Sequence, residues 1–309
     1  MLYKWMKLTL AALALSLVAA CGGDDDTQPS IAQVAVDDAR FSTLVEALDA
    51  TGLRTTLAQD GNYTVFAPTN TAFAALLTEL GVTKAQLLAN RPLLTAVLQY
   101  HVLASRVQRS AVPAGKAITP LAGGFFKIDA VGTGLVVTDG RNRTSNITTT
   151  DVQASNGVLH VVDRVLLPAD KNIVQTAQAL PQFSILVEAV VAADLAGTLS
   201  GAGPFTVFAP TNDAFVALLG DLGLTKAQLL ADKPLLTKVL TYHVLAARVL
   251  KADVPVGSPV TTVQGETFTV DATLKITDRR TRIAGIAATD VLTSNGVIHV
   301  IDRVILPAP

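Results

Sequence analysis

The chain has 309 residues, half of them apolar and only 16% charged. That is enough apolar surface to offset the entropy lost on folding, so a disordered protein is excluded. Lys plus Arg is 24 against 25 Asp plus Glu, a formal net charge of −1, and no basic excess exists to neutralise a row of phosphates, which argues against a nucleic-acid partner. Cys21 is the single cysteine, so an intramolecular disulfide, a thiolate metal cluster and a dithiol redox pair are all excluded. Stability has to come from packed cores.

In chain order, residues 1–20 read as a signal peptide and 21–29 as a lipidated tether. Lys4 and Lys7 precede an apolar run, Leu8 to Ala20, of 13 residues. A helix needs roughly 20 to span a bilayer core. A positive start, a short apolar middle and small residues at the end are the pattern of a secretory signal. Leu17-Val18-Ala19-Ala20-Cys21 resembles the bacterial lipobox, in which cleavage leaves the cysteine at the new N-terminus with a thiol open to lipidation. Cys21 is therefore the expected lipidation site, and Gly22 to Pro29 a flexible, charged tether. One acyl chain holds a protein only marginally, at about 0.8 kcal/mol per buried CH₂. The resemblance to bacterial lipoproteins implies two or three. Gly22 stands where an Asp commonly retains such proteins at the inner membrane, which favours the outer membrane. No later stretch is long and apolar enough to span a bilayer.

The rest of the chain is a duplication. Tyr63 to Val107 aligns without gaps on Phe205 to Val249, a shift of 142, with 34 of 45 positions identical. Ser155 to Pro168 returns as Ser294 to Pro307 with 11 of 14 identical, but at a shift of 139. The length difference is expected around Leu121 to Gly140. Each copy has the size of a whole domain rather than of a solenoid repeat, giving domains over 30–169 and 170–309 joined near Ala169 to Asn172. Such a short join predicts two surfaces held at restricted spacing and a bivalent contact.

Within a copy, helices come first. Phe41, Leu44, Val45 and Leu48 fall on one helical face, and Phe73, Leu76, Leu77 and Leu80 on another, entered through Pro68-Thr69-Asn70 with Thr69 or Asn70 as N-cap. Thr83 to Gln86 and Thr225 to Gln228 match a capping box. Pro92 opens a helix with Leu94, Val97, Leu98 and His101 on one stripe. From Ala117 onward short β-branched runs alternate with turns rich in Gly, Asn and Asp. With Tyr63 to Ala67 as an early strand, the class is α+β.

Three blocks carry a family resemblance. They are Tyr63-Thr64-Val65-Phe66-Ala67-Pro68-Thr69-Asn70 with Ala72-Phe73, then Tyr100-His101-Val102-Leu103, and Ser155-Asn156-Gly157 through Pro168. Each resembles a signature of the fasciclin domain, and all recur from Phe205, Tyr242 and Ser294. Copy one departs from the pattern at Thr71, where copy two has Asp213, and in the strands before Ser155. The resemblance implies a wedge-shaped sheet with packed helices, tandem domains, and an adhesion role in the extracellular space or envelope. In animal matrix members the tyrosine–histidine segment is linked to integrin binding. By position this makes Tyr100, His101, Tyr242 and His243 the adhesion candidates.

The residues themselves favour blander roles. His101 lies on an apolar helical stripe, and His160 alternates with Val158 and Val162. A hydrogen-bonded core histidine is the commoner outcome than a metal pair, since no carboxylates or thiols stand at ligand spacing. Tyr100 is expected packed with its hydroxyl satisfied. No Gly-x-Ser-x-Gly elbow or Walker lysine occurs. Asp163-Arg164 and Asp302-Arg303 read as strand-end charge pairs. Asn62, Asn142 and Asn146, in acceptor-like Asn-x-Thr patterns, read as turn and strand chemistry. The expectation is a non-enzymatic adhesion protein without cofactor or metal. It would be held to the membrane by its lipid and bind a protein or polysaccharide of the envelope or matrix. The alternative is a carrier of a small apolar lipid or pigment, recognisable by a pocket in the variable strands.

Overall fold

The computed structural model describes residues 28–309; the signal segment, Cys21 and most of the tether lie outside the described residues. In the first domain α1 (Ile31–Asp37), α2 (Ser42–Thr51) and α3 (Leu53–Ala58) precede β1 (Tyr63–Pro68). Next come α4 (Asn70–Leu80), α5 (Lys84–Ala89) and α6 (Arg91–Tyr100). The strands β2 (Val102–Leu103), β3 (Ala117–Ile118), β4 (Phe126–Val131), β5 (Gly134–Thr138), β6 (Thr144–Ala154) and β7 (Gly157–Val162) complete it. The second domain repeats this order. Its first half is α7 (Ile173–Gln178), α8 (Ser184–Ala192), α9 (Ala196–Leu199), β8 (Phe205–Pro210), α10 (Asn212–Leu222), α11 (Lys226–Ala231) and α12 (Lys233–Tyr242). Its strands are β9 (Val244–Leu245), β10 (Pro259–Thr261), β11 (Thr267–Val270), β12 (Lys275–Thr277), β13 (Ile283–Thr293) and β14 (Gly296–Ile301). Both domains are α+β, with helices first, as the patterning implies.

The helix starts follow from side-chain caps that satisfy N–H groups with no partner inside the helix. The Thr69 hydroxyl accepts from the Ala72 N–H at the start of α4. Thr83 with Gln86, and Thr225 with Gln228, close full capping boxes on α5 and α11. Pro92 sits in the first turn of α6, where its missing N–H removes no helical bond.

Among the described residues each domain has one seven-stranded sheet, ordered β2-β1-β7-β6-β5-β4-β3 and β10-β11-β12-β13-β14-β8-β9. The first signature strand lies parallel to the closing one, Tyr63 opposite Gly157 through Pro68 opposite Val162. β14 and β8 do the same, and the remaining ladders are antiparallel. Alternation along these strands feeds two cores. Val65, Ala67, Leu159 and Val161 join Phe41, Leu44, Phe73 and Leu94 under the helices. Phe66 and Val162 point the other way, to Tyr100, Phe126, Ile128 and Val137. The second domain repeats both cores.

The length difference between the copies is a shortened hairpin. β4 and β5 have 6 and 5 residues, whereas β11 and β12 have 4 and 3. Ala169 to Asn172 is irregular, and Asn172 with Gln175 caps α7. The domains are linked by more than this short join. Phe125 of the first domain is buried against Leu250, Leu292 and Val297 of the second.

Candidate functional site

The last turn of α6 carries the tyrosine–histidine pair inward on the stripe of Leu94, Val97 and Leu98. His101 Nδ1–H donates to the Val97 carbonyl at 2.7 Å, and Nε2 accepts the Leu166 N–H at 2.9 Å. The Leu166 donor fixes a neutral tautomer, because a protonated ring has no acceptor. His243 makes the same pair of bonds, to Val239 and Ile305. Burial pushes both rings down to about 4, against the pull of the helix carbonyls. His160 Nδ1 accepts from the Asp151 N–H at 3.2 Å, and its Nε2–H donates to Val107 at 2.8 Å. His299 repeats this with Asp290 and Val249, and burial lowers its proton affinity too. All four histidines thus commit both ring nitrogens to backbone, leaving no lone pair for a metal or a substrate proton.

The tyrosines are equally committed. The Tyr100 hydroxyl donates to the Phe125 carbonyl at 2.5 Å and Tyr242 to that of Thr267 at 2.9 Å. Burial raises both phenols far above their ordinary range. The four adhesion candidates taken from the resemblance, Tyr100, His101, Tyr242 and His243, are at most 2% exposed. Their side chains are enclosed by the packing of their own domains. What they do is position backbone: His101 holds the segment after β7, and Tyr100 holds the loop that leads into β4.

Other signature residues are structural as well. Asn156, 3% exposed, accepts from the Ile31 N–H at 2.9 Å and donates to the Leu57 and Gln59 carbonyls at 2.8 and 2.7 Å. It ties the N-terminal helices to the closing hairpin, and Asn295 does so in the second domain. Asp139 is buried but fully bonded, to the N–H groups of Arg141, Arg143 and Leu167 and to the Arg143 guanidinium. Asp139 and its counterpart Asp278 sit in none of the signature motifs. The available signal was an Asp recurring before an Arg-rich turn in both copies. The expected charge pair at Asp163 and Arg164 is replaced by another arrangement. The Asp163 carboxylate accepts from Ser145 and from the Asn146 backbone and side chain, across the β6–β7 ladder. Asp302 accepts the Gly285 N–H.

These three signature blocks, each built twice around the same hydrogen bonds, coincide with two matches to the fasciclin domain model, at residues 39–168 and 181–307. The chain belongs to the fasciclin family. It is 45% identical over 150 residues to Protein sll1483 of Synechocystis, covering 48% of this chain and 79% of that one. It is 28% identical over 273 residues to human periostin, covering 87% of this chain and 30% of periostin. Cell surface glycolipoprotein MPB83 of Mycobacterium bovis is 37% identical over 114 residues, 37% of this chain and 48% of that one. Among solved structures, a FAS1 domain pair from the insect cell adhesion molecule Fasciclin I matches with a TM-score of 0.44 and 18% identity, covering 89% of this chain and 95% of that one. The match thus spans most of the Synechocystis protein but under a third of periostin.

The two fasciclin domains meet through a plug and a socket. Phe125, at the loop held by Tyr100, enters the apolar socket of Leu250, Leu292 and Val297, and the Arg248 guanidinium stacks 3.9 Å over its ring. Lys127 bridges its own Asp129 at 3.0 Å and Asp290 of the second domain at 2.8 Å. Burial opposes the Lys127 charge, and the two carboxylates more than offset it, so its proton affinity ends above the usual lysine value. Asn142, in a left-handed turn (φ 62), donates to the Leu292 carbonyl at 3.0 Å and accepts its N–H at 2.6 Å. The domains come close enough that a Cβ on Gly115 would lie 2.9 Å from that of Ala252.

A cleft of about 600 Å³ opens beside this joint. Two ion pairs line it, Arg141 with Asp170 at 3.2 Å and Arg143 with Glu79 at 2.8 Å. Cavities inside the domains are apolar and small, about 10, 30 and 110 Å³, against the roughly 300–1,000 Å³ typical of ligand pockets. No helix among the described residues is long and apolar enough to cross a membrane.

Proposed function

We propose that this chain is a non-catalytic adhesion protein of the cell envelope, tethered by lipid on Cys21, that presents two fasciclin domains as one locked pair. The observation that carries the reading is the use made of the signature polar groups. The tyrosines, the histidines and the signature asparagines are spent on internal hydrogen bonds, so the domain offers outer surface rather than reactive groups. The cell-surface placement in the name of the relative MPB83 supports the location. The Leu17-to-Cys21 motif supports the anchor, and the partner is a protein or polysaccharide of the envelope or matrix. The small size of the intradomain cavities weighs against the alternative, a carrier of a lipid or pigment.

The test is attachment. Cells producing the wild-type chain, the Cys21→Ser chain or none are compared for adhesion to matrix-coated surfaces and to one another, with the protein located by fractionation and by protease shaving. The proposal expects envelope-bound protein and adhesion in the wild type alone. Equal adhesion by all three strains contradicts it.

A further inference from the structure

The contact between the domains joins two different faces. The first domain contributes the loop into β4 and the turn before β6, and the second contributes the segment after β9 and the bulged region of β13. Such a contact is heterologous, and both halves exist in every copy of the domain. Repeated from chain to chain, it generates an open string unless its rotation happens to close a ring. Each chain therefore carries one unused plug, on the second domain, and one unused socket, on the first.

We infer that this chain has altered both unused halves, so that the joint closes within the pair and a second copy of the chain does not add to it. By the shift of 142, Thr267 and Thr269 stand where the working plug has Phe125 and Lys127. By the shift of 139, Thr281 stands where the plug has Asn142. The backbone of the unused plug is still held in the docking form, because Tyr242 bonds the Thr267 carbonyl as Tyr100 bonds that of Phe125. Thr281 keeps the left-handed turn, at φ 60 against 62 for Asn142. Only the side chains that would engage a socket have gone.

The unused socket is altered in the same way. Gln108 and Gln153 replace the buried Leu250 and Leu292, so an entering phenyl ring would meet two amides and strip them of water. Arg106, the counterpart of Arg248, is turned back to donate to the Ala154 carbonyl of its own domain at 2.6 Å. The acidic centre survives. Asp151 has φ 59 where Asp290 has 60. Asp151 accepts the Arg109 N–H at 2.8 Å, as Asp290 accepts that of Lys251. The docking backbone is thus ready in both unused halves and the carboxylate in the socket, while the apolar and cationic contacts that would close them are absent from both. This placement of polar residues guards against a wrong partner of nearly identical shape.

The test restores the halves separately in the chain of residues 28–309, which includes every described element. One variant carries Thr267→Phe, Thr269→Lys and Thr281→Asn, and a second carries Gln108→Leu and Gln153→Leu. Sedimentation is measured for each alone and for an equimolar mixture, with circular dichroism to establish that both are folded. The expected result is a monomeric wild type, monomeric single variants, and a 1:1 dimer in the mixture that Asp151→Lys in the socket partner abolishes. A chain with all five substitutions should form oligomers that lengthen with concentration. If that chain misfolds, the mixture still decides, since each component carries only two or three surface changes. A folded mixture that stays monomeric overturns the inference. So does a wild-type chain that already assembles and is dispersed by Asp151→Lys.

Discussion

Replacing His101 with Ala tests the structural reading of the signature histidine through two linked magnitudes. The ring accepts the N–H of Leu166, a residue only 1% exposed, and leaving that donor unsatisfied costs about 1–3 kcal/mol. The vacated volume adds a cavity cost, for a total of about 3–5 kcal/mol. This is a large part of the 5–15 kcal/mol typical of a domain. The second magnitude depends on pH. The folded ring is held down to about 4 by burial, against 6.5 for a free histidine, so the unfolded state binds the proton more readily. The stability it contributes is fully present above pH 6.5 and is lost as pH falls towards 4. At about 1.4 kcal/mol for each tenfold change in proton affinity, the loss by pH 4.5 is about 2–3 kcal/mol. His101→Ala removes this dependence, so its cost should shrink by that amount between pH 7.5 and 4.5. Urea unfolding of wild type and variant at both pH values, followed by circular dichroism, measures the difference. A cost equal at the two pH values would refute a neutral, buried His101, as would zinc or copper bound stoichiometrically by the wild type and lost in the variant.

Three further outcomes follow from other elements. Asn156→Ala removes three bonds to the N-terminal helices and should cost about 2–4 kcal/mol, with amide exchange accelerating in α1 before it does in the sheet. Lys127→Met leaves Asp290, whose side chain is 2% exposed, without its cation. Breaking such a pair costs up to about 3–5 kcal/mol, read as faster exchange of the Leu292 amide, while Thr269→Met should be silent. Cys21→Ser should block lipid labelling and leave the precursor uncleaved, and an intact mass showing mature wild type with an unmodified Cys21 would contradict the anchor.

The fold was legible because its signals are local and appear twice. Thr83 with Gln86 closes the predicted box, Phe41 and Leu44 face the predicted core, and the copies differ in length where the strands were least alike. His101 and His160 were readable as core residues from stripe and alternation alone. Periodicity reports a buried face, not the bond that satisfies a polar atom on it. Asp139 and Asn156 draw their partners from segments far along the chain, and no spacing rule announces such contacts. The joint was hidden for the same reason. Phe125, Lys127 and Asn142 differ from their counterparts in the second copy, and from sequence those differences read as drift in a variable region. Only the packing against Leu250 and Leu292 identifies them as one contact. The adhesion candidates at Tyr100 and His101 came by resemblance, and a resemblance maps positions without reporting which way their side chains face.

The proposed function requires that the two fasciclin domains, locked by their joint, act together on one adhesive target. The direct measurement is dissociation of the soluble pair, residues 28–309, from an immobilised envelope or matrix surface. It compares wild type with a Phe125→Ser, Lys127→Met chain, with circular dichroism to establish that both domains stay folded and exchange of the Leu292 amide to establish that the joint is open. Two sites at a fixed spacing that matches the target dissociate more slowly than two on a flexible join, and the covalent linkage is common to both chains, so any difference in residence reports the joint. A much longer residence is expected for the locked wild type. Equal residence times for the two chains would contradict it.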